Sequence, residues 1–153
     1  MTDDRLALDD VTMPALLRHA RAAYGLAMRR ALASAGYDDI PSSGLYVIGG
    51  LARERARRPL GRLIADLRIS KQAAGQLVDT LVVRGYLTRE PDPQDRRRFT
   101  VGLTDRGRAA ARTLTAARVA VDADLAARVG PRTIASARRT LAALIDIAAD
   151  TTN

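Results

Sequence analysis

The sequence predicts a mainly α-helical fold carrying one small β-hairpin, and three observations predict it. Over most of the 153 residues, apolar side chains recur at three- and four-residue spacing, the period of a helix with one buried face. β-prone residues are confined to two short runs, 86–88 and 99–103, separated by the Pro-punctuated segment EPDPQDRRR. Hydrophobic residues make up 47% of the chain but aromatic residues only 3%, so Ala, Leu, Val and Ile must do the packing, which suits closely packed helices. The length fits a single domain over 1–153.

Residues 1–10 show no periodicity and read as a loosely docked arm. Thr12 is a good N-cap, and Pro14 falls in the first turn, where its missing N–H is harmless. Leu16, Leu17, Ala20, Tyr24, Met28, Ala31 and Leu32 then mark one face of a helix that Gly36 ends. This helix is longer than a small core needs, so it is expected to pack against something further, such as a second subunit. A second helix follows Pro41 and a Ser cap, with Leu45, Val47, Ile48 and Leu51 on its apolar face. Gly49 and Gly50 inside it cost about 1 kcal/mol each against Ala, which points to close helix–helix approach or a kink.

Leu60, Leu63, Ile64 and Leu67 form the apolar face of a short third helix. Ser70 caps the next, in which Ala74, Leu77, Val78, Leu81 and Val82 face inward, and Gly85 ends it. The two β-prone runs follow. Thr104 caps a long helix with Leu114, Ala117, Val121, Leu125 and Val129 on one face. Gly130-Pro131 breaks that helix, and a last one carries Ile134, Ala137, Leu141, Leu144, Ile145 and Ala148.

Two short helices followed by a basic hairpin, over residues 59–103, make a winged helix-turn-helix, a shape that fits a helix into the major groove of DNA. The charge agrees. The chain carries +8 net charge, and from Arg53 to Lys71 seven cations stand against two carboxylates. The cluster at 53–58 (RERARR) is divided between phosphate contact and an ordinary solvated helix end. On the fourth helix Lys71, Gln72, Gly75, Gln76 and Asp79 face outward. Lys suits guanine, Gln can bond adenine in bidentate fashion, and Gly75 would admit a close approach of DNA. The same face would also serve as a plain polar surface.

In the loop, Arg96, Arg97 and Arg98 suit a narrow minor groove. Asp92 or Asp95 is expected to hold one of these arginines and so stabilise the wing. Arg62, Ser70 and Arg84 complete the expected DNA-binding set. His19, the single histidine, is read first as a structural residue, as are Tyr24, Tyr37 and Tyr46. Should a ligand pocket exist, His19, Tyr24 and Tyr46 are the candidates for its wall.

Two segments give the chain a family resemblance. SKQAAGQLVDTLVVRGYLTRE looks like the recognition helix and first wing strand of MarR-type transcriptional regulators, and DPQDRRRFTVGLTDRG like their wing signature. The resemblance implies a homodimer that binds a palindromic operator. It assigns helices at 11–36 and 104–150 to dimerisation and 41–103 to the DNA-binding lobe. It also implies small, often phenolic ligands bound where these parts meet, weakening operator binding. The chain departs from the family at Gly75 and Gln76, where many members carry Ser or Thr followed by Arg, so different base preferences are expected.

No cysteine is present, which excludes disulfides, thiol sensing and Cys-ligated metals. No cofactor or metal site is expected, nor any catalytic constellation. The acidic N-terminus lacks the pattern of a signal peptide and no apolar run is long enough to span a membrane, so a soluble cytoplasmic protein with no membrane partner is expected. The reading that follows is a ligand-responsive repressor acting on double-stranded DNA. The alternative is an architectural DNA-binding protein with little sequence preference and no effector.

Overall fold

The computed structural model of the chain describes residues 10–54, 57–67 and 69–150, with side chains described as far as 147. The arm read at 1–10 therefore lies outside the described residues except for Asp10, as do Arg55 and Arg68 of the basic stretch and the side chain of Ala148. Six helices and three short strands follow in the order α1 (Met13–Ser34), α2 (Gly44–Glu54), β1 (Arg58–Pro59), α3 (Leu60–Asp66), α4 (Lys71–Val83), β2 (Leu87–Pro91), β3 (Phe99–Leu103), α5 (Asp105–Val129) and α6 (Pro131–Asp150). This is a winged helix-turn-helix set between longer helices.

The ends of these helices follow local chemistry. Ser70 accepts a hydrogen bond from the Ala73 N–H (3.1 Å), which caps α4 at the turn from α3. Gly36, Gly85 and Gly130 adopt positive φ where α1, α4 and α5 stop. At the first two the chain folds back, with the Tyr37 N–H on the Leu32 carbonyl and the Tyr86 N–H on that of Leu81. Thr12 precedes α1 but its side chain makes no capping bond. Thr104 caps α5 by accepting from the Gly107 N–H (2.9 Å) and donates to the Gly85 carbonyl (2.5 Å). One hydroxyl thereby ties the start of α5 to the end of α4.

The hairpin is part of a three-stranded antiparallel sheet of order β1-β3-β2. Arg58 and Pro59 pair with Val101 and Thr100, while Leu87 pairs with Leu103 and Arg89 with Val101. The two-residue β1 lies inside a basic stretch and contains a proline, so no alternation marks it in the sequence.

The core joins Leu32 of α1, Leu45, Val47, Ile48 and Leu51 of α2, Leu63 of α3, and Leu77, Val78 and Leu81 of α4 to Tyr86, Leu87, Val101 and the first half of α5. Ala110 and Ala111 are buried there beside Leu114, so α5 packs through small residues as well as the branched face read from the sequence. Gly107 is the closest approach. A Cβ at this position would sit 2.1 Å from the Tyr86 carbonyl oxygen, a distance no side chain allows.

The chain divides into two compact units inside α5, one ending at Arg118 and one beginning at Val119. In the second unit no described side chain is buried. Leu141, Leu144, Ile145 and Ile147 of α6 are 40–69% exposed. Gly49 and Gly50 differ from expectation. No atom lies within 4 Å of where a Cβ would stand on either, and α2 runs unbroken through both. They do not serve close helix packing; they border open space.

Candidate nucleic-acid interface

The outward stripe of α4 is as its pattern requires. Ala74, Leu77, Val78 and Leu81 are buried and Gly75 is half-buried, while Lys71, Gln72, Gln76 and Asp79 are exposed. A Cβ on Gly75 would meet nothing within 4 Å, so the helix surface is open there. Lys71, Gln72 and Gln76 have no side-chain partner among the described residues, which leaves their donors and acceptors available. Arg62 is exposed on α3 in the same condition.

The wing tip is a folded loop. The Asp92 carboxylate accepts from the Gln94 N–H (2.9 Å) and that of Asp95 from the Arg97 N–H (3.0 Å). Main-chain bonds from Asp92 to Arg98 and from Arg98 to Asp95 close the turn. Arg98 is the arginine that Asp95 holds, at 3.3 Å. Arg96 and Arg97 project without a side-chain partner among the described residues. Both aspartates thus shape the loop, and two of the three wing arginines are left to face outward.

The basic stretch before α3 is less free than its composition suggests. Arg57 lies across one face of the sheet. Its guanidinium donates to the Thr100 hydroxyl (3.0 Å), the Thr88 hydroxyl (2.9 Å), Glu90 (3.0 Å) and the Thr100 carbonyl (3.1 Å). Gly102 leaves room for it, since a Cβ there would stand 3.1 Å from the guanidinium. Arg58 bonds Glu54 (3.1 Å) and Asp66. Arg57 therefore braces the wing, and Arg58 ties the end of α2 to the end of α3.

A second cluster joins the α1–α2 loop to the end of α4 and the start of α5. The Tyr86 hydroxyl donates to the Asp39 carboxylate, and Arg106 bonds the Tyr86 hydroxyl (3.0 Å) and lies 3.6 Å from Asp39. The Tyr37 ring meets that of Tyr86 edge-on, with centroids 6.2 Å apart. The hydrogen bond from Tyr86, helped by the Arg106 and Arg84 charges, holds the Asp39 carboxyl below the usual carboxylate range. Burial and the bond to Asp39 push the Tyr86 phenol up. Arg84 belongs here too: it donates to the Asp39 carbonyl, which commits part of its guanidinium to the fold. Sequence reading passed over Asp39 and Arg106, because their partners lie tens of residues away.

A cavity of about 200 Å³ opens between α1, α2 and α5. Met28, Leu45 and Leu114 form its apolar wall, Gly49 and Gly50 border it, and Arg53 and Arg118 stand at its edge with Tyr46. The Arg21 guanidinium stacks over the Tyr46 ring at 4.5 Å. Tyr46 is thus at the cavity, whereas His19 is exposed on α1 and Tyr24 half-buried, neither of them in its wall. Among the described residues there is no cluster of three or more potential metal-ligating side chains, and no helix is long and apolar enough to cross a membrane.

Helix, turn, capped helix and three-stranded wing define the class as a winged helix-turn-helix. Residues 38–98 match the model of the MarR family. Solved structures share the fold. MepR of S. aureus in its DNA-binding conformation aligns with a TM-score of 0.72 at 18% identity, over 89% of this chain and 98% of that one. The PcaV regulator of Streptomyces coelicolor, in complex with its natural ligand, gives 0.68 at 20% identity over 90% and 94%. Wild-type MarR of E. coli gives 0.66 at 19% identity over 88% and 96%. No curated protein matches the sequence.

Proposed function

We propose that the protein is a sequence-specific transcriptional regulator, a repressor that binds a palindromic operator as a homodimer and responds to a small-molecule ligand. The observation that carries this reading is the pairing of two unengaged surfaces. Lys71, Gln72 and Gln76 flank the open Gly75 on a Ser70-capped helix, and the wing beside that helix presents Arg96 and Arg97 on an Asp-braced loop. The helix suits base edges in the major groove, and the arginines suit phosphate or the minor groove. Arg62 adds a phosphate contact. In a dimer, two such helices would stand roughly 34–36 Å apart, one turn of DNA.

The exposed apolar residues of α6 fit helices that a second copy covers. The cavity fits a small ligand with an apolar body and a negative charge. Arg53 and Arg118 at its edge have no carboxylate partner among the described residues, and its wall is aliphatic. A ligand there touches both α2 and α5 and would bias how the DNA-binding lobe is presented.

The test is binding to a duplex selected from a random library, competed with bulk DNA at several salt concentrations. Affinity should fall steeply with salt, and the selected site should win by about 10³-fold or more. A ratio near unity would leave the architectural reading in its place. Aromatic carboxylates should weaken binding, their neutral amides should not, and Arg118→Gln should abolish the difference.

A further inference from the structure

The outward stripe of α4 contains a residue that the proposed function does not absorb. Asp79 follows Gln76 by three residues and Gln72 by seven, so all three share one line along the helix. A free carboxylate on that line would repel the phosphates on either side of the groove. It is not free. Arg89 of β2 reaches Asp79 at 3.3 Å, and the Arg89 guanidinium also lies 4.2 Å above the Phe99 ring of β3.

The sheet explains how. Odd-numbered residues of β2 face α4: Leu87 is buried in the core, and Arg89 continues the same face beyond it. Even-numbered Thr88 and Glu90 turn the other way, to Arg57. Phe99 is paired opposite Pro91, diagonal to Arg89 on the same face, and gives the guanidinium a platform. Held on both sides, Arg89 is aimed at the recognition helix.

We infer that Arg89 is a positioning residue for DNA binding: clamped on Phe99, it neutralises Asp79 on the reading face of α4 and fixes the wing against that helix. The inference rests on the proposed reading of α4 as the DNA-contacting helix. Its consequence is specific. Removing Arg89 harms binding because Asp79 is left exposed, so removing the Asp79 charge as well should repair it. A phosphate-contacting arginine would behave otherwise, since its loss cannot be mended by changing Asp79.

The test is a double-mutant cycle on the full chain, using the duplex selected by the wild type. Arg89→Ala should weaken binding by about tenfold or more, and Asp79→Asn with Arg89→Ala should return to within about threefold of wild type. The two forms should unfold at nearly the wild-type midpoint, because an exposed pair adds little stability. Phe99→Leu, which keeps both charges and removes the platform, should weaken binding by less than Arg89→Ala. A double variant as weak as Arg89→Ala overturns the inference, as does an Arg89→Ala protein that binds normally. So does an Asp79→Asn protein whose preferred bases change, since Asp79 would then read DNA itself. A wild type with no preference for any duplex would defeat the proposed function and this inference together, and would show before any variant is made.

Discussion

The parts of the chain on either side of the division in α5 are made of similar Ala- and Leu-rich helices, yet they differ in what those helices bury. Up to Arg118, the apolar faces of α2, α3, α4 and the start of α5 converge on one core, where Ile48, Leu81 and Val101 are fully enclosed. From Val119 onward apolar residues still recur at helical spacing, most clearly in α6, yet Leu125, Val129, Leu141 and Ile145 stand 41%, 42%, 40% and 69% exposed. An amphipathic pattern therefore states that a helix needs a partner without saying that the partner lies in the same chain. In the first part the partner is internal. In the second no described side chain is buried, and a second copy would supply the partner in the proposed dimer.

Substitutions can break this contrast or sharpen it. The largest effect is expected from Leu81→Ala, which opens the core and should cost about 2–5 kcal/mol in urea unfolding. Gly107→Ala follows, because α5 must move off the Tyr86 carbonyl; about 1–3 kcal/mol or more is expected. Both losses should be independent of protein concentration. Ile145→Ala should behave differently. In dilute protein it should change stability by no more than about 0.5 kcal/mol. At higher concentration the loss should grow, with sedimentation showing weaker self-association. A cost of several kcal/mol at every concentration would mean that α6 already has a partner within the chain, and the contrast would fail.

The smallest effect concerns pH and belongs to the first part alone. The Asp39 carboxyl is held low by Tyr86 and Arg106, so its contribution is complete above the ordinary carboxylate pKa and is lost as pH falls through the lowered one. Below about pH 4 the wild type should therefore lose stability faster than Asp39→Asn. Thermal unfolding of the two proteins between pH 5 and pH 2, both values being approximate choices around that pKa, would check it. Parallel curves would remove Asp39 from the joint between α1, α4 and α5.

Much of the candidate interface was legible in the chain because its rules are local. Ser70 and Thr104 were read as caps, Gly36 and Gly85 as helix ends, and the stripe at Lys71, Gln72 and Gln76 as outward, all from neighbours within one or two turns. The wing loop was legible for the same reason: Asp92 and Asp95 bond main chain two residues on. What escaped was long-range. Arg57 meets Thr88 and Thr100 across 31 and 43 positions, and Tyr86 meets Asp39 across 47. Composition marked 53–58 as basic, but it could not separate an arginine braced against the sheet from one open to solvent.

Gly49 and Gly50 show the same limit from the other side. Their backbone freedom was visible in the sequence, and their use was not. Whether a missing side chain serves a close contact or an open cavity depends on what α1 and α5 place opposite, and here they leave a space of about 200 Å³. Helix spans, caps and the polar stripe of α4 are properties of adjacent residues, so the order of residues suffices to specify them. The pairing of Arg58 and Pro59 into the sheet, the seating of α5 on Tyr86 through Gly107, and the aim of Arg89 at Asp79 exist only once distant segments are brought together. They depend on distances of a few ångströms that no local pattern records.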